Sequence, residues 1–471
     1  MAGEIHFLLN DETVRTSAPP GMLALDYLRR NARLTGTKEG CREGDCGACV
    51  VLVGVLEGGA VRYEPVTSCL LPLGELHGRH LVTVEGLNTE ALTPVQSAIV
   101  EEGATQCGFC TPGIVVSMTG MLMEPGVPVD RERVKTALSG HLCRCTGYHS
   151  LKAAGDRIAG AVGDRTGVEA LVADGWLPAY FRDVPSRLAA IPPAVSGNGA
   201  AQPIPIAGGT DLYVQRGDAL PEAPVRVLNR SAEWKGVARE AGFLRVGALT
   251  TFEAFARSPE VRRTLPRIDA YMRLIASWQI RNRATLGGNV VNASPIGDLS
   301  ILLLALDARL VLRDGASSRT VPIRTFYRGY KTLDKAPGEM LAEILIPIPG
   351  DGERVNWEKV SKRKHLDIAS VNGAMRVRVE DGVITEMGLA CGGVAPVPLF
   401  LKETSRYFVG KPVTVPVVRG AFPVLQAEIA PITDVRGSAA YKRLLARQIL
   451  IAHFTRLFPE VVTARAFYEE R

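Results

Sequence analysis

A short stretch near the N-terminus, GCREGDCGACV over residues 40–50, combines cysteines with glycines. Its cysteines are Cys41, Cys46 and Cys49, and Cys69 follows after a gap. This C-x4-C-x2-C spacing with a distant fourth cysteine is typical of plant-type 2Fe–2S sites. Three ligands on one tight loop must point inward, and glycine lets the backbone turn its amides towards the same point. Inward N–H groups also offset the negative charge of a thiolate-ligated cluster.

A second set of four cysteines lies in the segments QCGFCTPG and HLCRCTG. Its members are Cys107, Cys110, Cys143 and Cys145. A C-x2-C pair and a C-x-C pair can close a four-thiolate site, and for this set alone zinc is a real competitor. For the first set we disfavour zinc, which prefers paired C-x2–4-C spacings. A chain that carries one redox cluster gains a relay by carrying a second.

The elements around these cysteines divide the first third of the chain in two. Residues 1–87 alternate in the manner of short strands, with one helix pattern, and predict a small α+β domain. Residues 88–163 predict four helices in a bundle. Thr93 as N-cap and Pro94 as the first helical residue should begin the first of these helices, and Thr111 and Pro112 should begin the second in the same way.

The remainder of the chain predicts two further domains. We expect a linker at residues 164–175, a mixed domain of flavin-domain size at 176–347 and a last α+β domain at 352–471. A connector rich in Pro, Gly, Ala and Ser covers 191–205. The unpaired Cys391 is expected to be a buried core thiol. Lone histidines such as His141 and His365 have no metal-ligand spacing and are expected to be structural.

Composition favours a globular cytoplasmic protein. The net charge of +6 is spread over 471 residues without a dense basic stripe, which argues against nucleic-acid and membrane partners. The N-terminus has neither the basic nor the apolar region of a secretory signal, so disulfides are not expected. The longest apolar runs fall short of the roughly 20 residues that a spanning helix needs.

Two glycine-containing stretches could bind a nucleotide phosphate or could be ordinary tight turns. They are PIAGGTDLYV at 205–214 and RNRATLGGNVVNASPIGDLSILLLAL at 281–306. Exposed amides on glycine turns suit a pyrophosphate, and Asp298 could accept a hydrogen bond from a ligand hydroxyl or amine. The nearest approach to a G-x-G-x-x-G, at Gly197, has no strand before it, so we reject a Rossmann site.

The paired cysteine motifs resemble the iron–sulfur portion of the molybdenum hydroxylases, which include xanthine dehydrogenase, aldehyde oxidase and CO dehydrogenase. The first four cysteines match that family's ferredoxin-like cluster, and the second four match its helical-domain cluster. The resemblance implies an α+β multidomain fold. Its parts would be a ferredoxin-like β-grasp domain, a four-helix-bundle cluster domain, an FAD-binding domain of the vanillyl-alcohol-oxidase/CO-dehydrogenase flavoprotein type, and a C-terminal α+β flavoprotein domain.

The same resemblance implies the residues around FAD. Pro205, Ile206, Ala207, Gly208, Gly209, Thr210, Asp211 and Leu212 would cradle the pyrophosphate. The rest of the site would be formed by Ile275, Ala276, Thr285, Gly287, Gly288, Asn289, Ser294, Asp298, Leu341 and Lys359. Ile275 stands where some animal members carry an aromatic residue.

The order of clusters, FAD domain and C-terminal domain resembles the small subunits of the bacterial xanthine dehydrogenase branch. By that resemblance, electrons from a partner's molybdenum centre, which oxidises hypoxanthine or xanthine to urate, would pass through both 2Fe–2S clusters to FAD and then to NAD+. No catalytic acid or base is expected in this chain. Because the chain stops at residue 471, we expect the molybdopterin site on a large partner subunit, in a heterodimer or a dimer of heterodimers.

Three alternatives remain open at this point. The same relay could serve a hydroxylase of aldehydes or N-heterocycles. The cysteines could bind zinc in a non-catalytic assembly module. The chain could also be a stand-alone flavoprotein that passes electrons from NADH to an acceptor.

Overall fold

Residues 4–193, 203–229 and 231–467 are described by a computed structural model of the protein. The chain divides into two units, of which the first contains Met1–Arg230 and Ser277–Ala284 and the second contains Ser231–Ala276 and Thr285–Arg471. The segment expected to form the FAD-binding domain, 176–347, therefore contributes to both units. The rejected motif at Gly197 lies outside the described residues.

A mixed five-stranded sheet forms the N-terminal part of the first unit. Its strands lie in the order Glu12–Thr16, Ile5–Leu9, His80–Val82, Val50–Glu57 and Ala60–Thr67. Ile5–Leu9 and His80–Val82 are parallel, and the other neighbours are antiparallel. The edge strand, Glu12–Thr16, is polar and largely exposed, so apolar alternation did not reveal it. Short helical segments complete this part: Ala24–Asp26, Tyr27–Asn31, Ser68–Leu70, Leu73–Leu76 and Val84–Leu87.

Four helices follow, as the sequence predicted: Pro94–Glu101, Thr111–Leu122, Arg131–Leu138 and His149–Val162. Thr93 caps the first through a capping box with Gln96. The second differs from our expectation by one residue. It begins at Thr111, its N-cap is Cys110, and Pro112 is its second residue. Thr111 is thus inside the helix, because the turn that carries Cys110 already provides the cap position.

Residues 164–175, expected to be a linker, contain the helix Val168–Ala173. Its Leu171 and Val172 are buried in the same apolar core as the four-helix bundle. Two more helical segments, Ala179–Arg182 and Val184–Ala189, follow. The first unit also contains a parallel strand pair and two short helices, at Ile204–Ile206, Val225–Val227, Leu212–Arg216 and Trp278–Arg281.

The second unit is built on two antiparallel sheets. The strands of the first are, in order, Ser317–Pro322, Arg309–Asp314, Met340–Pro347, Phe243–Gly247 and Val237–Glu240. Those of the second are Glu353–Val360, Val371–Glu380, Val383–Gly392 and Leu399–Phe400. A small hairpin pairs Tyr327–Gly329 with Thr332–Leu333.

Helices cover these sheets. They are Phe252–Arg257, Pro259–Thr264, Ile268–Met272, Leu286–Asn292, Asp298–Ala305, Ile323–Phe326, Lys402–Phe408, Val415–Gly420, Phe422–Glu428, Ala439–Leu457 and Arg465–Phe467. The longest, Ala439–Leu457, buries Ala446, Leu450 and Phe454, each four positions apart, in the core of the four-stranded sheet. The α+β multidomain architecture expected from the sequence is confirmed. No helix within the described ranges has the length and apolar character needed to cross a bilayer.

Candidate redox sites

The loop that carries the first three cysteines turns its backbone amides towards sulfur. The N–H groups of Glu43 and Asp45 both donate to Sγ of Cys41, over 3.3 Å. Gly44, with φ of +81°, and Gly47, with φ of +70°, supply the left-handed conformations that this turn requires. The chemistry of the loop therefore matches what an anionic sulfur site needs.

The first four thiols lie next to one another in two pairs. A hydrogen bond from the Cys46 thiol, followed by bonds from the loop amides, lowers the pKa of Cys41 to about 5. A hydrogen bond from the Cys69 thiol lowers the pKa of Cys49. The charge of Cys41 also acts on both Cys49 and Cys69, so the two thiol pairs lie within electrostatic range of each other. Four neighbouring thiols and inward amides fit a 2Fe–2S cluster.

The second set gathers at the start of the helix Thr111–Leu122. Burial raises the pKa of Cys110 to about 12, and its thiol is hydrogen-bonded to that of Cys143. Cys107 acts on Cys110 through its charge. Burial also opposes ionisation of Cys143, but hydrogen bonds from Thr146 and from the Cys145 amide lower its pKa overall. The thiols of Cys110 and Cys143 are thus neighbours, Cys107 lies within electrostatic range of Cys110, and the backbone N–H of Cys145 donates to the Cys143 thiol.

No group of three or more His, Cys, Asp or Glu side chains in the described ranges is spaced to hold a single metal ion. A 2Fe–2S cluster contains two irons. Its fit to both cysteine sets rests on the adjoining thiols and their hydrogen bonds, and not on a preformed single-ion cage.

The two cysteine-bearing loops are in backbone contact. The N–H of Leu142, next to Cys143, donates to the carbonyl oxygen of Cys46 over 3.0 Å. A Cβ atom added to Gly113 would lie 2.2 Å from the carbonyl oxygen of Gly47. Glycine at position 113 therefore permits an approach that any side chain would prevent.

The segment 277–284 anchors this region from a distant part of the sequence. Nε2 of Gln279 donates to Oγ of Ser117 over 3.0 Å and to the carbonyl oxygen of Ala137 over 2.9 Å. Oγ of Ser117 lies 2.7 Å from Nε2 of His141, whose ring is buried. Burial lowers the pKa of His141 to about 3, so its ring is neutral at physiological pH. His141 therefore has a structural position, as expected, but the sequence did not single out Gln279.

In the first unit, the segment expected to cradle the pyrophosphate packs against the first cysteine set. A Cβ on Gly209, whose φ is +73°, would lie 3.2 Å from the carbonyl oxygen of Leu70, the residue after Cys69. Ile206 shares one apolar core with Cys49 and Cys69. Along the segment, Ile206, Gly208 and Gly209 are buried; Ala207, Thr210 and Leu212 are partly buried; Pro205 and Asp211 are exposed.

The remaining residues expected around FAD belong to the second unit. Thr285 caps the helix Leu286–Asn292 by accepting a hydrogen bond from the N–H of Gly288 over 3.0 Å. Ala276, with φ of +50°, adopts a left-handed conformation that is uncommon outside glycine. Ile275, Leu341 and Gly287 are buried, and Gly288, Asn289 and Ser294 are partly buried.

Asp298 and Lys359, separated by 61 positions, form an ion pair in the second unit. Nζ of Lys359 lies 2.7 Å from Oδ2 of Asp298, and the lysine side chain is 1% exposed. Nδ2 of Asn372 donates to the other carboxylate oxygen over 2.6 Å. Both oxygens of Asp298 thus have protein partners, and each retains a second lone pair for a ligand.

Four known protein families match successive segments of the chain, in the same order as the sites described above. "2Fe-2S iron-sulfur cluster binding domain" matches residues 7–73, and "2Fe-2S binding domain" matches 83–156. "FAD binding domain in molybdopterin dehydrogenase" matches 185–349, and "CO dehydrogenase flavoprotein C-terminal domain" matches 358–457.

The chain is also similar to proteins and structures of known activity. It is 28% identical to a xanthine dehydrogenase of Emericella nidulans, over 98% of this chain and 39% of that protein. It is 30% identical to aldehyde oxidase 1 of Cavia porcellus, over 96% of this chain and 39% of that protein. It superposes on a CO dehydrogenase chain from Oligotropha carboxidovorans with a TM-score of 0.50 and 30% identity, over 52% of this chain and 86% of that one. The chain belongs to the molybdenum hydroxylase family.

The match to other molybdenum hydroxylases is partial in length. The chain spans about two fifths of the curated relatives that it matches, with 39% of each of the first two covered. Quinoline 2-oxidoreductase from Pseudomonas putida 86 gives a similar structural match, with a TM-score of 0.50 at 25% identity over 55% of this chain and 90% of that one.

Sequence reasoning missed a buried charged cluster that adjoins the pyrophosphate segment. Glu75 and Arg283, each with a side chain 2% exposed, form an ion pair in the first unit. Arg79 and Asn229 also donate to Glu75. These residues are spread over more than 200 positions, as the separation of 208 between Glu75 and Arg283 shows. No local pattern marks such a cluster.

Proposed function

We propose that this chain is the electron-transfer part of a molybdenum hydroxylase of the xanthine dehydrogenase branch. It would bind two 2Fe–2S clusters through the eight cysteines, and FAD through the residues that the resemblance to the family implies for it. When bound, the clusters would supply one-electron transfer, and FAD would supply two-electron chemistry, including hydride transfer to NAD+. The chain's own contribution is to bind these groups, to space them and to exclude water.

The observation that carries this proposal is the order of the contacts in the first unit. The second cysteine set adjoins the first through the hydrogen bond from Leu142 to Cys46. The first set adjoins the pyrophosphate segment through Leu70 and Gly209. The loops are thus in series, with the helical-domain site at one end and the flavin segment at the other. Such an order suits stepwise transfer of electrons between the helical-domain site and FAD.

The second cysteine set also offers a surface for an electron donor. Cys107 and Cys145 are exposed, and so are the large apolar side chains of Phe109 (46%) and Leu142 (48%) beside them. Both apolar residues adjoin the first cysteine loop, Phe109 at Gly40 and Leu142 at Cys46. We propose that a molybdenum-cofactor subunit binds here, in a heterodimer or a dimer of heterodimers, in the cytoplasm.

For the reaction of the whole enzyme we propose the oxidation of hypoxanthine and xanthine to urate, with NAD+ as acceptor. The similarity to curated xanthine dehydrogenases supports this choice, and the similar identity to aldehyde oxidase makes aldehydes the second candidate. The substrate would bind to the molybdenum subunit, so this chain contributes no catalytic acid or base.

Two experiments test the proposal. In the first, NADH is added anaerobically to the purified chain, and we expect bleaching of flavin absorbance followed by reduction of the clusters. Flavin that NADH does not reduce would contradict NAD+ as the acceptor. In the second, the chain is co-expressed with its molybdenum subunit. Phe109→Asp should reduce co-purification while iron and FAD stay at wild-type levels, and Val461→Asp, at an apolar position 49% exposed in the second unit, should not. Equal co-purification of both variants would contradict the docking surface.

A further inference from the structure

The ion pair between Glu75 and Arg283 reaches the main chain of the pyrophosphate segment. Nη2 of Arg283 lies 3.0 Å from Oε2 of Glu75 and donates to the carbonyl oxygen of Gly208 over 2.7 Å. The main chain of Arg283 also packs closely against Gly208. A Cβ atom added to Gly208 would lie 2.1 Å from the carbonyl oxygen of Arg283. Both the side chain and the backbone of Arg283 therefore fix Gly208.

The bond to Gly208 determines where the next amide points. In a trans peptide the C=O and the following N–H point in opposite directions, and the structure has no cis peptide bonds among the described residues. Since the carbonyl of Gly208 faces Arg283, the N–H of Gly209 faces away from it. Gly209 has φ of +73°, so the turn presents its backbone without a side chain in the way. Backbone N–H groups on such turns bind phosphate oxygens.

The guanidinium of Arg283 is in turn fixed by the ferredoxin-like domain. Glu75 lies in the short helix Leu73–Leu76, a few residues after Cys69. Its carboxylate accepts from Arg283, from Arg79 over 2.7 Å and from Asn229 over 2.9 Å. Burial favours the neutral acid, but Arg283 and Arg79 hold the pKa of Glu75 at about 2, so the carboxylate is charged. A buried charge needs its partner, which makes this arrangement rigid.

We propose that Arg283 is a positioning residue for FAD, held by Glu75, that orients the Gly208–Gly209 peptide so that the N–H of Gly209 binds the pyrophosphate. The inference rests on the proposed function, which assigns this segment to FAD. It makes the ferredoxin-like domain part of the flavin site through a carboxylate that reaches the Gly208 carbonyl by way of Arg283.

The test measures the dissociation constants of FAD and of ADP for the full chain, together with iron per chain. Arg283→Met removes the donor to Gly208 and should weaken both ligands by roughly 10- to 100-fold, the range for a hydrogen bond from a charged group. ADP is the part of FAD that contains the pyrophosphate and lacks the flavin ring, so equal losses place the effect in that part and not at the flavin ring. Iron should stay at the wild-type level.

A double variant tests whether Glu75 acts through Arg283. Glu75→Gln alone should weaken FAD, but adding it to Arg283→Met should cause little further loss, because residues in one network are not additive. The matched control is Arg187→Met, which removes an ion pair with Asp11 that has an N···O distance of 2.6 Å and lies elsewhere in the same unit. It should leave FAD affinity unchanged.

The outcomes separate this inference from the proposed function. If the wild-type protein binds no FAD, the proposed function fails. If wild-type binds FAD and Arg283→Met binds it equally well, or loses FAD affinity while ADP affinity is unchanged, the positioning role is wrong. If Arg283→Met also loses iron, Arg283→Lys decides: it keeps the charge beside Glu75 but not the planar fork. An Arg283→Lys variant with wild-type iron content and weakened FAD binding supports the inference. An Arg283→Lys variant with wild-type FAD affinity contradicts it.

Discussion

Nζ of Lys359 lies 2.7 Å from Oδ2 of Asp298, at the first residue of the helix Asp298–Ala305. The lysine side chain is 1% exposed and the aspartate side chain is 15% exposed, so the pair is shielded from water. The indole N–H of Trp357 donates to the carbonyl oxygen of Asp298 over 3.2 Å. Two residues proposed to contact FAD thus hold each other in place before any ligand binds.

Removal of one partner of this pair should destabilise the protein. Lys359→Met would leave Asp298 with Asn372 but without its counter-charge, and we expect a loss of about 3 kcal/mol in the free energy of unfolding. Denaturant titration measures it. Lys402→Met, at an exposed position, is the control and should change stability by less than about 0.5 kcal/mol. A Lys359→Met variant as stable as that control would contradict the structural role of the pair.

The contact between the two cysteine loops predicts a large effect of Gly47→Ala. The new Cβ would lie 2.4 Å from the carbonyl oxygen of Gly140 and 2.4 Å from Nδ1 of His141. We expect this variant to lose iron from both cysteine sets. Gly78→Ala is the matched control, because Gly78 has φ of +73° but nothing within 4 Å of the added atom. It should cost only the left-handed strain of about 1 kcal/mol and retain full iron. Wild-type iron in Gly47→Ala would show that the loops do not depend on that contact.

Acid should destabilise the protein through His453 in the second unit. Burial, and then the charge of Arg267, lower the pKa of His453 from 6.5 to about 3. Between pH 6.5 and about 3, the unfolded state therefore binds a proton at His453 that the folded state does not bind. The stability contributed by the neutral, buried ring is present above pH 6.5 and is lost as pH falls towards 3. Below pH 6.5 it should lower the free energy of unfolding by about 1.4 kcal/mol per pH unit.

His453→Gln, which cannot titrate, isolates this contribution. Denaturant titrations at several pH values between 7 and 4 should show a smaller pH dependence for the variant than for the wild type. The difference in slope should correspond to about one proton. Identical slopes would mean that His453 is protonated in the folded state.

Local sequence patterns predicted most helices and strands, but they did not predict the contacts between residues far apart in sequence. The bundle helices follow from N-cap residues and apolar spacing, since Thr93 and its box with Gln96 act within four positions. The strand Glu12–Thr16 was missed because an exposed edge strand needs no apolar alternation. Gln279 and Arg283 acquire their roles from partners far away in sequence, such as Ser117 and Glu75. Spacing identifies ligands that share a loop, but it does not identify side chains that hold that loop in place.

The second cysteine set should be an obligatory relay to FAD. Cys143→Ser should retain FAD and about two of the four irons that two 2Fe–2S clusters contain, and substrate electrons from the molybdenum subunit should no longer reach the flavin. Cys391→Ser is the control, because Cys391 is a buried thiol in the apolar core of the second unit, on the strand Val383–Gly392. It should retain all iron and full turnover. Normal substrate-to-NAD+ turnover in Cys143→Ser would contradict the relay.

The most direct test of the central claim is the content of iron, acid-labile sulfide, zinc and FAD per chain in protein purified under nitrogen. Two 2Fe–2S clusters and one flavin predict about four irons, four sulfides and one FAD. Zinc without sulfide would show that the cysteines stabilise a scaffold, and it would contradict the electron-transfer role of this chain.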